Sequence, residues 1–172
     1  MLQLILGGAR SGKSALAERL ALPYTQVTYI ATSQPVDAEL DERVRLHRAR
    51  RPAHWALVEE PLDLAATLQR LAQPGHCLLV DCLTLWLTNL LLLEDDVRLE
   101  QQCQALLQAL PGMPGEVIFV SNESGLGVVP LGELTRRYVD RAGLLHQAVA
   151  AQCARVVLTV AGLPLVLKGP SL

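Results

Sequence analysis

A chain of 172 residues, 51% hydrophobic and 19% charged, has enough apolar side chains for one packed domain and too few charges for a disordered one. The formal net charge of -2 argues against a general nucleic-acid binder, which needs a basic face for phosphates. Aromatic residues are only 3%, so the core falls to Leu, Val, Ile and Ala.

Leu2 to Leu6 reads as a buried strand, and Lys13 to Leu22 as the helix after it. Gln26 to Ala31 is a second strand, rich in β-branched residues. Asp37 to Arg51 has helical composition and is stopped by Pro52. A short strand is expected over Ala56 to Glu59, then a helix from Pro61 to Ala72 with proline in its first turn. Pro74-Gly75 turns the chain into the apolar run Cys77 to Asp81. Leu83 to Leu93 and Val97 to Leu110 read as helices, the first apolar nearly all round and therefore buried on several sides. Pro111-Gly112 and Pro114-Gly115 break the chain before a strand over Glu116 to Val120. Ser121 to Pro130 is a glycine-containing loop and Leu131 to Gln152 a long helix. Arg155 to Val160 and Leu165 to Lys168 close the sheet as a hairpin around Gly162-Leu163-Pro164.

Strands alternating with helices predict an α/β fold, a mostly parallel sheet flanked by helices. No repeat or linker interrupts the chain, so residues 1–172 are expected to form a single domain. The first strand begins at Leu2, which leaves no room for a secretory leader. The most apolar stretch, Cys82 to Leu93, contains Thr84, Thr88 and Asn89 and falls short of the roughly 20 residues of a membrane span. Cys77, Cys82, Cys103 and Cys153 form no C-x-x-C pair and have no histidines at zinc spacing. They are expected to be reduced, buried thiols in a cytoplasmic protein.

Gly7-Gly8-Ala9-Arg10-Ser11-Gly12-Lys13-Ser14 matches G-x-x-x-x-G-K-[ST], directly after a strand and opening a helix. The glycines let backbone N–H groups turn toward phosphate oxygens, and the helix N-terminus adds partial positive charge. Lys13 is placed to reach the β- and γ-phosphates and Ser14 to ligate Mg2+. Asp81, closing an apolar strand, is either the second carboxylate of such a site or an N-cap for the helix that follows.

The segment Arg43 to Arg51 carries five arginines and His47. Such a stretch is ordinarily a solvated face. Beside a polyphosphate, however, cations keep an imidazole neutral and nucleophilic and stabilise charge developing on phosphorus. His47 is thus either an exposed histidine or a nucleophile. His54 and His76 read as packing or turn residues, and His146 as a surface or partner-facing one.

Several motifs in this order carry a resemblance across essentially the whole chain: GGARSGKS at Gly7 to Ser14, YIATS at Tyr29 to Ser33, HRARRPAHW at His47 to Trp55, VDCLTLWLTNLL at Val80 to Leu91, and SNESGLGVVP at Ser121 to Pro130. The sequence resembles the bifunctional adenosylcobinamide kinase/adenosylcobinamide-phosphate guanylyltransferases of cobalamin biosynthesis. The resemblance implies a P-loop NTPase (RecA-like) fold. It implies phosphorylation of adenosylcobinamide by ATP or GTP, then attack of a histidine on the α-phosphate of GTP, with pyrophosphate released. GMP would then pass to adenosylcobinamide phosphate, giving adenosylcobinamide-GDP. The family nucleophile falls on His47, and Lys13 joins it as a catalytic residue. Guanine-nucleotide contacts map onto Gly7, Gly8, Ala9, Arg10, Ser11, Gly12, Lys13, Ser14, Ala31, Thr32, Ser33, Arg48, Ala49, Arg50, Arg51, Glu59 and Asp81, with Ser14 and Asp81 toward the metal.

Some relatives carry two adjacent histidines at the nucleophile site; here the first is Leu46. The family also assembles as a propeller-like homotrimer, for which the apolar helices Leu83 to Leu93 and Leu131 to Gln152 are candidate interfaces. The rival readings are a P-loop kinase for another small alcohol and a nucleotide-gated binding module. A nucleic-acid-dependent ATPase is disfavoured by the acidic balance.

Overall fold

The computed structural model describes residues 1–34 and 52–172. The expected helix Asp37 to Arg51, with His47 and Arg48 to Arg51, lies outside the described residues. In chain order the elements are β1 (Leu2–Gly7), α1 (Lys13–Ala21), β2 (Gln26–Ala31), β3 (Ala56–Glu59), α2 (Leu64–Leu71) and β4 (His76–Asp81). They continue with α3 (Leu83–Leu92), α4 (Asp96–Ala109), β5 (Glu116–Asn122), α5 (Glu133–Gln152), β6 (Arg155–Val160) and β7 (Leu163–Lys168).

The strands form one sheet in the order β3-β2-β4-β5-β1-β6-β7. The first six strands run parallel, and β7 returns antiparallel to β6. The central strands β1, β4 and β5 are near-continuous apolar runs because helices cover both of their faces. Alternation splits their side chains between two cores. Leu4, Leu78, Val80, Val117 and Phe119 pack with residues of α2, α3, α4 and α5. Ile5, Leu79, Ile118 and Val120 pack with Leu16, Ala17 and Ala21 of α1. Helix α3 spends its apolar surface inside this chain: Leu83, Trp86, Leu87, Leu90 and Leu91 are buried, and of its leucines only Leu92 at its end stands exposed. Most of that helix is therefore unavailable as a subunit interface.

Three boundaries differ from the sequence expectation. Helix α2 begins at Leu64, after Pro61, because the Glu60 carboxylate takes the chain's N–H groups first. Its Oε1 accepts from Leu62 N at 3.0 Å and Asp63 N at 2.7 Å, while Oε2 accepts from the Thr67 hydroxyl at 3.1 Å. Strand β5 continues through Asn122, since Ser121 and Asn122 pair with Leu6 and Gly7. The closing hairpin turns at Ala161-Gly162, with φ of 50° and 79°, so Leu163 and Pro164 already belong to β7. Two successive positive φ values match the right-handed twist of the flanking strands. Among the described residues, no helix is long and apolar enough to cross a membrane.

Candidate functional site

The parallel order brings the C-terminal ends of β1, β2, β3 and β4 to one edge, where open α/β sheets bind ligands. Over the end of β1 the chain folds into a tight loop before α1. A Cβ on Gly7 would stand 2.4 Å from Ser11 Oγ and 2.6 Å from the Thr159 carbonyl oxygen, so only glycine fits there. Gly12 has φ +95°, the left-handed conformation that aims the next N–H groups into the loop. Neighbouring segments hold the cradle: Glu123 N donates to Gly7 O at 3.0 Å, and Gly162 N donates to Ser11 O at 2.9 Å. The Lys13 ammonium donates to Gly8 O at 3.0 Å, curling its side chain over the loop. Gly8, Ala9 and Arg10 are exposed, and Gly12, Lys13 and Ser14 are half-buried.

Strand register places the other sequence-predicted residues. Ala31 pairs with both Glu59 and Asp81, so the three stand in one row at the sheet edge. Asp81 is half-buried, and its Oδ2 accepts from Tyr29 OH at 2.9 Å. The N-cap of α3 is Cys82 with no side-chain cap, so Asp81 does not serve as that helix's cap. Thr32 is fully buried, and its hydroxyl donates to Cys82 O at 2.7 Å and accepts from Cys82 N at 2.9 Å. Asn89 Nδ2 donates to the Thr32 carbonyl at 2.8 Å. Thr32 is thus consumed in joining the ends of β2 and β4, and leaves the buried Ala31 and the half-buried Ser33 at the edge. Glu59 is exposed at the end of β3.

Sequence reasoning gave no role to a polar chain beside the cradle. Ser121 Oγ lies 2.8 Å from His146 Nε2 and 3.2 Å from Thr84 Oγ1, and Asn122 N donates to Thr84 Oγ1 at 2.7 Å. His146 therefore turns inward from α5 rather than facing solvent or a partner. Burial lowers its pKa from 6.5, opposed by the nearby Glu123 charge, and so favours the neutral imidazole. The signal was the SNESGLGVVP motif, but nothing in its spacing announces a histidine 25 residues on. His76 bridges Thr28 Oγ1 at 2.9 Å and Leu71 O at 3.0 Å, a packing role, while His54 is exposed in a turn.

All four cysteines are free; Cys77, Cys82 and Cys153 are buried and Cys103 half-buried. Burial above all pushes the thiols up, Cys82 and Cys103 to about 11 and Cys77 and Cys153 to about 12. They are poor nucleophiles at neutral pH.

A glycine cradle between a parallel strand and a helix N-terminus, with lysine over it and a carboxylate two strands away, defines a P-loop nucleotide-binding α/β protein. Solved structures agree on the fold. A prototypical ATPase from the type III secretion system of pathogenic bacteria matches with TM-score 0.58 at 12% identity, over 91% of this chain and 50% of that one. A Pyrococcus horikoshii OT3 protein matches with TM-score 0.57 at 8% identity, over 99% and 87%. The family follows from sequence. Residues 3–167 match the cobinamide kinase / cobinamide phosphate guanyltransferase model, and the chain belongs to that family. It is 65% identical to the bifunctional adenosylcobalamin biosynthesis protein CobP of Pseudomonas aeruginosa over the full length of both. It is 38% identical to the Escherichia coli K12 protein CobU, over 98% of this chain and 100% of that one. The chain is accordingly an enzyme of cobalamin biosynthesis.

Proposed function

We propose that this chain, acting as a single cytoplasmic domain, carries out two successive reactions on one corrinoid. It phosphorylates the aminopropanol hydroxyl of adenosylcobinamide with ATP or GTP. It then transfers GMP from GTP to adenosylcobinamide phosphate, giving adenosylcobinamide-GDP and pyrophosphate. The observation that carries the reading is the cradle Gly7 to Ser14, formed at the C-terminal edge of the parallel strands in a chain whose residues 3–167 match the family.

In the first reaction the Gly7 to Ser14 N–H groups and Lys13 hold the β- and γ-phosphates and offset charge developing between them. Ser14 and Asp81 would hold Mg2+. The fit is chemical: a hydroxyl and a carboxylate are hard oxygen donors, and Mg2+ takes one or two such groups plus substrate phosphates. Among the described residues no cluster of three His, Cys, Asp or Glu side chains could cage a metal alone, in keeping with that mode. When bound, Mg2+ supplies charge neutralisation on the phosphates. Ala31, Ser33 and Glu59 line the same edge for the nucleotide, while Thr32 fixes their position.

In the second reaction His47 attacks the α-phosphorus of GTP and the bond to pyrophosphate breaks, leaving GMP as a phosphoramidate. The Arg48, Ala49, Arg50 and Arg51 segment supplies the surrounding phosphate contacts. The phosphate of adenosylcobinamide phosphate then displaces the imidazole. Two displacements let one site handle GTP and a bulky corrinoid in turn. The working form is proposed to be a homotrimer. Exposed Leu134 and Leu144 are the large apolar side chains that α5 itself offers to such an interface.

Intact mass after incubation with GTP and Mg2+, quenched in alkali, tests the reading. A GMP adduct that is acid-labile and missing from His47→Ala is expected. No adduct, with GTP shown to bind, leaves the rival kinase or binding-module reading in its place. Light scattering of the purified chain tests the trimer.

A further inference from the structure

The proposed kinase step needs a group to receive the proton of the attacking hydroxyl, and none of the residues assigned so far does so. Strand β5 lies between β1, which leads into the cradle, and β4, which ends in Asp81. Asn122 pairs with Gly7, and the next N–H, that of Glu123, donates to the Gly7 carbonyl at 3.0 Å. Glu123 is therefore anchored to the first residue of the phosphate cradle. Its side chain is half-buried and held in place, with Oε1 accepting from Gly125 N at 2.6 Å. Among the described residues Oε2 accepts no hydrogen bond.

The side of the sheet matters as much as the height. Ser121, two residues earlier, points to the α5 face, where it meets His146, and the Glu123 charge acts on that same histidine. Helix α1, whose first residues are Lys13 and Ser14, covers the opposite face. The carboxylate thus flanks the cradle from the side away from the nucleotide-holding helix. In-line transfer requires the acceptor to approach the phosphorus opposite the leaving diphosphate. The chain beyond Glu123 exposes Leu126, Val128 and Leu131, an apolar surface suited to a large hydrophobic acceptor.

Other carboxylates at this edge are less suited. Both oxygens of Glu60 cap α2. Glu59 is three strands from β5 at the sheet's far margin. Asp81 accepts from Tyr29 and stands on the proposed metal side.

We propose that Glu123 is the general base of the kinase reaction; this rests on the kinase reading given above. As the substrate hydroxyl oxygen forms its bond to the γ-phosphorus, the O–H bond breaks and the proton passes to Glu123 Oε2. The bond from the γ-phosphorus to the β,γ-bridging oxygen breaks, and its electron pair leaves with the nucleoside diphosphate. The Thr84–Ser121–His146 chain positions the carboxylate by fixing the end of β5. Guanylyl transfer needs no such base, since its acceptor is already a phosphate oxyanion.

The test is Glu123→Gln, whose amide oxygen still accepts from Gly125 N–H, compared with wild type and Glu123→Asp. Phosphorylation of adenosylcobinamide is followed in single turnovers across pH, and GMP-adduct formation from GTP is followed in parallel. Glu123→Gln should slow phosphorylation at least about 100-fold and abolish the acidic limb of its pH profile. Nucleotide affinity and GMP-adduct formation should stay at the wild-type level, and Glu123→Asp should recover part of the rate with its acidic limb. Phosphorylation by Glu123→Gln within about threefold of wild type would overturn the assignment. So would a loss shared equally by adduct formation, which marks a structural role. A wild-type chain that does not phosphorylate the alcohol at all would remove the kinase reading itself, and the base with it.

Discussion

The two ends of the sheet solve opposite problems with similar residues. At the N-terminal end of the strands the buried Glu116 accepts from Gln3 Nε2 at 2.6 Å and Tyr24 OH at 3.1 Å, and Arg155 Nη1 donates to Gln3 Oε1 at 3.3 Å. Glu116, Gln3 and Tyr24 satisfy one another, although Arg155 Nε is buried without a hydrogen-bond partner among the described residues. The Tyr24 phenol is pushed up to about 12, by burial first and then by the Glu116 charge. At the C-terminal end, the backbone is bent by Gly7 and Gly12, and among the described residues Ser11 Oγ and Thr159 Oγ1 are buried without a hydrogen-bond partner. A buried polar atom without a partner costs stability, and two such hydroxyls stand together at the glycine loop. One end is held by paired polar side chains, and the other is the end where phosphate is proposed to bind.

Substitutions at the two ends should therefore separate activity from stability. Lys13→Ala should lower both proposed reactions by about 100- to 1,000-fold, because it removes the charge proposed to hold the phosphates. Its denaturation midpoint should match wild type, since Lys13 is half-buried at the cradle and outside the core. Equal loss of stability and rate would erase the contrast. Gly7→Ala should affect both properties. Its methyl meets Ser11 Oγ and a backbone carbonyl at 2.4 and 2.6 Å. Relieving that contact should cost about 1–3 kcal/mol and weaken nucleotide binding at least about tenfold. Calorimetric titration with GTP and urea unfolding read the two effects separately.

Glu116→Ala should do the reverse of Lys13→Ala. It strands the Gln3 and Tyr24 donors in a buried site, for a loss of about 1–3 kcal/mol in urea unfolding at neutral pH, with GTP affinity unchanged. The smallest effect is a pH slope. The Tyr24 phenol holds its proton to about 12 in the fold, against an ordinary 10.0, so the unfolded chain ionises first. The stability that Tyr24 contributes is complete below pH 10 and is lost as pH rises from 10 to about 12. Tyr24→Phe should flatten that part of the stability profile, over and above the decline that the thiols begin near pH 9. An unchanged slope would mean that the Glu116 cluster does not hold the phenol.

The cradle was legible in the sequence because its conformation is local. Glycine at Gly7 and Gly12, lysine at 13 and serine at 14 specify the loop within eight residues, and the apolar run before it specifies a central strand. The alternation of strands and helices likewise announced a parallel sheet. Boundaries were harder where a side chain competes with the backbone, as Glu60 does ahead of α2, or where a turn depends on positive φ at a residue such as Ala161.

The sequence by itself thus determined the class of fold, the phosphate-binding loop and, through ordered motifs along the chain, the family. Tertiary structure alone decided which distant residues meet. It set Asp81 level with Ala31 and Glu59 and freed it from capping α3. It spent Thr32 on Cys82, turned His146 inward onto Ser121, and tied Glu123 to Gly7. The reason is physical: strand order and register are fixed by burying two apolar faces at once, and that long-range packing leaves no short-range pattern in the chain.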